Sequence, residues 1–141
     1  YAMPMCSTHA RIGLAMLAVA RAVVSAANDH YQNLLSFSGT VFNLSVMATD
    51  RLLGLLAHTM GNWDKAMAHF EDSLVFCRMA GYRPELAWTC CDYADTLRER
   101  NGEGDRSTAV ALLDESLAIS SELGMRPLME RVLSRREILR A

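Results

Sequence analysis

Proline and glycine are scarce in this sequence of 141 residues, which contains three prolines and eight glycines. Both residues interrupt regular backbone structure, so their scarcity excludes low-complexity and collagen-like chains and leaves room for long helices. Alternation of apolar and polar residues, which is typical of half-buried strands, is also rare. Alanine, leucine, methionine and arginine are common and favour helices, so we expect an all-α protein.

The sequence also lacks an excess of either charge and a long apolar run. Its formal net charge is −2, which gives no electrostatic reason to expect binding to nucleic acid or to an anionic membrane. Residues 12–27 form an apolar run of about 16 residues that includes Arg21 and is too short to span a bilayer. We expect a cytoplasmic location. The chain begins at Tyr1 rather than at a methionine, so we expect a fragment of a larger protein.

Signatures of common catalytic and nucleotide-binding sites are missing. The patterns G-x-S-x-G, Walker A and G-x-G-x-x-G do not occur, and Gly102 and Gly104 lie in a turn without a preceding strand. The four histidines lack the spacing of a helical metal site. We interpret His69, beside Glu71 and Asp72, as part of a polar helix surface. The expectation is a protein that is not an enzyme and has no cofactor and no metal.

Cysteine is present in a pattern that favours buried, reduced thiols. The four cysteines contain no C-x-x-C pair, and two of them are adjacent in sequence: Cys6, Cys77, Cys90 and Cys91. Adjacent residues on a helix point about 100° apart, so this pair does not form one metal-binding face.

Residues 53–81 carry the clearest local pattern, which reads as helix, tight turn and helix. Apolar residues recur at three- and four-residue spacing on both sides of the turn: Leu53, Leu56 and Met60, then Ala66, Met67, Phe70, Leu74 and Cys77. Gly61 can take the left-handed conformation that ends a helix, and Asn62 can cap the next one. A hairpin of this size needs neighbours of the same kind to bury its apolar faces.

The same pattern recurs along the chain at intervals of 39 to 43 residues. The matching positions are Leu14, Ala27 and Tyr31 before the reference hairpin, and Tyr93, Ala94 and Ala109 after it. We therefore predict one domain over residues 1–141, with hairpins over residues 8–36, 45–81 and 84–124 and a last helix over residues 126–140. The first hairpin has no turn glycine, so its break could fall anywhere between Arg21 and Asp29.

The connections carry weaker signals. Residues 37–44 are the least helical stretch, and we expect a loop whose phenylalanines tuck under the next hairpin. Ser45 is the predicted cap of the helix that follows, and Asp105 or Ser107 the cap of a later one. Pro84 and Pro127 fit the first turn of two further helices, where a missing N–H group costs nothing.

The run Gly61-Asn62-Trp63-Asp64-Lys65-Ala66, followed by Phe70 and by Ser73-Leu74, resembles a tetratricopeptide repeat. The resemblance extends over roughly residues 8–140. It implies a right-handed α-superhelix of about seven helices, built from three hairpins and a capping helix. One departure is Asp50, which stands where the family usually has a large apolar residue, so we expect weaker packing there.

The long repeat period resembles the variant found in bacterial multidomain transcriptional regulators of the LuxR or MalT type, linked to ATPase or cyclase domains. The resemblance implies a non-enzymatic module that binds a protein, a peptide or a neighbouring domain in a concave groove. The implied contact residues are Arg51, Leu55, His58, Trp88, Cys91, Asp95 and Arg98. Such a set suits a peptide carboxylate together with an apolar anchor.

Two further readings follow from the ends of the array. The apolar first helix, with apolar residues on most faces, favours structural self-association as a homodimer. The arginines of the last helix suggest a phosphate or nucleic-acid patch, but Glu130 and Glu137 offset their charge. We therefore expect a solvated face on a helix that caps the array.

Overall fold

Seven α-helices account for most of the residues described by the structure, which is a computed structural model covering residues 4–42 and 47–141, without the side chains of residues 4–8 and 42. The helices are α1 (Pro4–Ala20), α2 (Val24–Leu34), α3 (Thr49–Thr59), α4 (Trp63–Ala80), α5 (Arg83–Arg100), α6 (Asp105–Glu122) and α7 (Arg126–Arg140). The all-α expectation is therefore confirmed. Among the described residues, no helix combines the length and the apolarity needed to cross a membrane.

Two compact units divide the chain, Tyr1–His69 and Phe70–Ala141, with the boundary inside α4. In the first unit, α1 and α2 pack against each other and both pack against α3. In the second unit, α5 packs against α6, and α7 packs against both of them. Helix number and order follow the sequence prediction, whereas the single domain of residues 1–141 stays a prediction.

The first hairpin turns at Ala22, which resolves the open interval between Arg21 and Asp29. Ala22 has a φ of +52°, and the N–H of Val23 donates to the carbonyl of Ala18 at 3.0 Å. Gly61, 39 residues later, has a φ of +72°, and the N–H of Asn62 donates to Ala57 in the same pattern. This is the Schellman helix ending, so alanine occupies the turn position of the first repeat.

The hairpin used as the sequence reference has the predicted turn and cap. The N–H of Lys65 donates to Oδ1 of Asn62 at 3.2 Å, which confirms the cap. Most of the predicted apolar stripe is buried: Leu53, Leu56, Ala66, Phe70, Leu74 and Cys77. Met60 and Met67 of the same stripe are part-buried.

Residues 35–42 and 47–48 are the described parts of the connection between α2 and α3, and one part of its prediction was wrong. A 3₁₀ turn (Leu35–Phe37) is followed by two-residue strands β1 (Val41–Phe42) and β2 (Met47–Ala48), which pair antiparallel. Phe37 is exposed rather than tucked under a hairpin. Ser45, the predicted cap, lies outside the described residues, and α3 begins at Thr49 without a side-chain cap.

The second unit confirms the proline positions and corrects one cap. Pro84 and Pro127 lie in the first turns of α5 and α7. The residue before α6 is Gly104, with a φ of +78° and no capping side chain. Asp105 instead accepts hydrogen bonds from the N–H of Gly102 and from Nε of Arg100, each at 2.8 Å. Its carboxylate stabilises the preceding loop, so neither Asp105 nor Ser107 is the cap.

Candidate functional site

The predicted contact residues of α3 form its solvent-facing line. Arg51, Leu55 and His58 are part-exposed, and Thr59 at the end of the helix is the one other residue of α3 that is not buried. The spacing of four and three residues aligns these three side chains along one side of the helix. We name them the α3 line: a cation, an apolar side chain and an imidazole on a helix that is otherwise buried.

An aromatic pair lies at the end of the α3 line. The rings of His58 and Trp63 lie edge to face, with centroids 5.4 Å apart and an interplanar angle of 84°. Trp63 is the first residue of α4, so the turn at Gly61 brings the two rings together. Trp63 therefore packs against the end of the α3 line.

The predicted contact residues of α5 divide into exposed and buried positions. Trp88, Asp95 and Arg98 are part-exposed, and we name them the α5 line. Cys91 is fully buried, so its prediction as a contact residue was wrong, because neighbouring side chains cover this position of α5. Burial raises the pKa of the Cys91 thiol to about 12. Burial likewise raises the pKa of Cys90, and Cys77 is also buried and reduced.

Two arginines of α7 lie against the α5 line. A nitrogen of Arg131 lies 3.0 Å from Oδ2 of Asp95 and 3.1 Å from Oδ1 of Asp92. Nε of Arg135 donates to Asp95 at 2.7 Å. The guanidinium of Arg131 also lies over the Trp88 ring, 5.9 Å from its centroid. The face of α7 that we expected to be solvated therefore supplies part of the site.

A signal for this contact was present in the sequence. Arg131 follows Asp92 by 39 residues and Arg135 follows Asp95 by 40, which are the repeat intervals found along the chain. Because equivalent helices of neighbouring repeats pack side by side, residues one period apart are expected to meet. The charge pattern of α7 predicted a solvated capping helix, and this spacing predicts its contact with α5.

The charges around the α5 line nearly balance. Burial works against the charge of Arg131, but Asp92 and Asp95 outweigh it and raise the pKa of the guanidinium. The carboxylate of Asp95 is shared by Arg131, Arg135 and, more distantly, Arg98 at 3.9 Å. Glu99 also lies 3.9 Å from Arg98. Three guanidinium groups therefore face three carboxylates around the α5 line.

Asp50 belongs to a buried polar network, which sequence reasoning missed. Its side chain accepts hydrogen bonds from Oγ of Ser38 at 2.9 Å and from the N–H of Gly39 at 2.7 Å. Nδ1 of His69 lies 3.0 Å from the same carboxylate, and Nε2 of His69 lies 2.8 Å from the hydroxyl of Tyr31. The expectation that Asp50 weakens packing was wrong, because every one of these polar groups is paired.

His69 was also misplaced by the sequence analysis. It is buried within this network rather than on a polar surface with Glu71 and Asp72. Ligand atoms of Asp50, His69 and the exposed Asp72 all lie within 4.8 Å of one another and could hold a metal ion, which would replace the contact between His69 and Asp50. Amphipathic spacing places His69 on the stripe between Ala66 and Ser73, which are both buried; this was the signal that could have located it.

The order carboxylate, imidazole and hydroxyl in this network resembles the arrangement that activates a nucleophile in hydrolases. Tyr31, however, is only 3% exposed, and burial together with the charge of Asp50 raises the pKa of its hydroxyl. Burial by itself raises the pKa of Asp50, but hydrogen bonds from His69, Gly39 and Ser38 outweigh it and hold the pKa below its ordinary value. The arrangement links α2, α3, α4 and the turn at Ser38 by hydrogen bonds.

Comparison with protein-family models, with curated proteins and with solved structures finds no match to this chain.

Proposed function

We propose that this chain is a non-enzymatic interaction module of a larger bacterial regulator, built as a right-handed superhelix of the tetratricopeptide type. The observation that carries the proposal is the α3 line. A helix buried at seven of its eleven positions exposes the three residues that the repeat pattern assigns to ligand contact. In such repeats the first helix of each hairpin faces the partner.

The chemistry of the α3 line favours an acidic peptide segment with an apolar anchor. Arg51 provides a guanidinium group for a carboxylate. Leu55 provides apolar surface for an anchoring side chain. The segment could belong to another protein or to an adjacent domain of the same polypeptide, which would couple partner binding to the output of the regulator.

A peptide-selection experiment tests the proposal. Peptides selected from a random library on the wild-type chain should bind at least tenfold more weakly to Leu55→Glu and to Arg51→Ala, because each removes an anchor or a charge-assisted hydrogen bond. Met79→Glu is the matched control, since Met79 is a highly exposed residue of α4 outside both lines. Peptides that bind wild type and Leu55→Glu equally well, or no selectable peptide at all, would refute the proposal.

A second candidate function, self-association, rests on α1. Leu14 and Leu17 are 56% and 43% exposed, whereas Leu53 and Leu56, 39 residues later, are fully buried. The preceding hairpin of α1 and α2 covers α3 in the first unit. The equivalent face of α1 is uncovered, so a helix of matching shape can cover it.

We propose that a second copy of α1 covers this face. An antiparallel pair with its two-fold axis at residue 15 would place each Leu17 over Gly13 of the other copy, and Ala10 opposite Ala20. Gly13 has open space at its Cβ position, so the leucine can insert and the helices can approach closely. One helix pair buries less than the roughly 1,200 Å² of a standard interface, which predicts a weak dimer.

Sedimentation velocity over a range of protein concentrations tests the dimer. Leu17→Glu should abolish the concentration-dependent dimer, because it places a charge in the apolar contact. Leu133→Glu is the matched control, since Leu133 is a similarly exposed leucine on α7. A monomer at every concentration, or equal loss of dimer in both variants, would count against self-association through α1.

A further inference from the structure

A pocket of about 110 Å³ lies in the second unit, where α5 and α7 end and α6 begins. Its walls combine apolar and strongly polar side chains: Leu97, Arg98, Asn101, Arg106, Ile138 and Leu139. An engineered apolar cavity that binds benzene measures roughly 150 Å³, and one water needs about 10–15 Å³. The pocket therefore suits a molecule somewhat smaller than benzene.

The charge of the pocket is positive. Two guanidinium groups line it, and no lining residue carries a carboxylate. The C-terminal ends of α5 and α7 contribute about half a negative charge each, which is less than the charge of the two arginines. Arg106 donates to the carbonyl of Leu139 and so offsets part of the negative end of α7.

Arg98 is only weakly neutralised by its neighbours. Its terminal nitrogen lies 3.9 Å from carboxylate oxygens of Asp95 and of Glu99, which is beyond hydrogen-bond distance. Asp95 is already bonded to Arg131 and Arg135. Nε of Arg98 is buried and has no hydrogen-bond partner among the described residues. A buried donor without an acceptor is uncommon in folded proteins, so the neighbours of Arg98 leave part of its hydrogen-bonding capacity unused.

From these observations we infer that the pocket binds a short-chain monocarboxylate of about three or four carbons. The carboxylate accepts from Arg98 and Arg106, and the alkyl chain contacts Leu97, Ile138 and Leu139. Apolar walls on one side favour a carboxylate with a hydrocarbon tail over inorganic phosphate, which has no apolar part. The inference does not depend on the proposed peptide binding, because Arg106, Ile138 and Leu139 belong to neither contact line.

An NMR titration of the full chain with propionate tests the inference. Saturable shifts of the backbone amides of Asn101 and Leu139 are expected in the millimolar range. Propionamide, a neutral molecule of nearly the same shape, should bind at least tenfold more weakly, because charge-assisted hydrogen bonds are the stronger ones. Inorganic phosphate should also bind more weakly than propionate. Equal binding of propionate and propionamide, or tighter binding of phosphate, overturns the inference.

Variants locate the site and separate it from the contact lines. Arg106→Gln and Arg98→Gln should each weaken propionate binding on the order of tenfold, by loss of a charged donor. Arg126→Gln, at the opposite end of α7, is the control and should leave it unchanged. Arg106→Gln should leave binding of a selected peptide intact. If Arg98→Gln unfolds, Arg106→Gln decides alone, and an unchanged propionate affinity in that variant overturns the inference.

Discussion

Ala22 carries the backbone conformation that glycine carries in the later turns of this chain. A left-handed conformation costs a non-glycine residue roughly 1–2 kcal/mol, while glycine costs about 0.4–1 kcal/mol more entropy on folding. Ala22→Gly should therefore raise the free energy of unfolding by about 0.5–1 kcal/mol. Urea denaturation measures the change.

The reverse substitution at the equivalent turn is the control for Ala22. Gly61→Ala should lower the free energy of unfolding by a similar amount, because Gly61 has a φ of +72° and open space around its Cβ position. A destabilising Ala22→Gly would mean that the turn is not left-handed in solution.

Asp50 makes the free energy of unfolding depend on pH, and the lowered pKa of its carboxyl decides the direction of that dependence. Its pKa in the folded chain lies below the ordinary value, so the folded state binds the proton less tightly than the unfolded state. The stability it contributes is present above an unfolded pKa of about 3.9 and is lost as pH falls through the lower folded pKa. Asp50→Asn should reduce the acid-induced loss of stability, measured by urea denaturation between about pH 6 and pH 3.

At neutral pH the same variant should be less stable than wild type by about 1–3 kcal/mol, because His69, Ser38 and Gly39 lose a charged acceptor. Asp29→Asn is the matched control, since Asp29 is exposed on α2. Equal pH profiles for Asp50→Asn and wild type would show that the network does not hold the carboxylate in its charged form.

The buried cysteines should be chemically inert in the folded chain. With a pKa of about 12 for Cys91, roughly one thiol in ten thousand is ionised at pH 8. In a Cys6→Ser background, iodoacetamide at pH 8 should leave Cys77, Cys90 and Cys91 unlabelled until denaturant is added, as read by mass spectrometry. Rapid labelling without denaturant would contradict the burial of these helix faces.

At the scale of elements, the contact between α5 and α7 rests on arginines. Arg131→Met should lower the free energy of unfolding of the second unit by about 1–2 kcal/mol, since it removes charged hydrogen bonds to Asp92 and Asp95 from a part-exposed position. In a Trp63→Phe background, it should also shift the fluorescence of Trp88, because the cation above the indole is lost.

Arg126→Met is the matched control for this pair of helices. Arg126 pairs with Glu130 on the same exposed face of α7, so its loss should change stability by less than about 0.5 kcal/mol and leave Trp88 fluorescence unchanged. If Arg131→Met and Arg126→Met lower the free energy of unfolding equally, the ion pairs between α7 and α5 do not stabilise the second unit.

Helices could be predicted where apolar residues repeat over several turns, whereas the connections without such repeats could not. The helices α4 to α7 have full apolar stripes and clear glycine or proline boundaries, so their positions could be predicted. Residues 37–44 contain no repeated spacing, and nothing local indicates whether Phe37 turns inward. Asp50 likewise could not be explained from local sequence, because its partners Ser38 and His69 lie 12 and 19 residues away.

At the scale of the whole molecule, self-association should respond to salt in a defined direction. Arg11 and Arg21 flank the apolar face of α1, and residues 9–21 contain no acidic side chain. Two copies paired through this face bring like charges together, so salt should strengthen the dimer by screening them. Sedimentation at roughly 0.05 M and 0.5 M salt, about one decade of ionic strength, measures the effect.

A dimer that weakens with salt would contradict pairing of two α1 helices, since opposite charges would then meet at the interface. Leu17→Glu supplies the control, because a variant that stays monomeric at both salt concentrations shows that the salt effect belongs to this contact.

The sequence by itself determined the helical class, the number and order of the helices and most of their ends. These features follow from local spacing, because a helix places residues three and four apart on one face and a glycine or proline marks its ends. The tertiary structure alone decided that Cys91 is covered, that Asp50 and His69 are buried partners of Tyr31, and that arginines of α7 lie on the α5 line. Those outcomes depend on which side chains from distant segments meet, and local spacing carries no information about the partner.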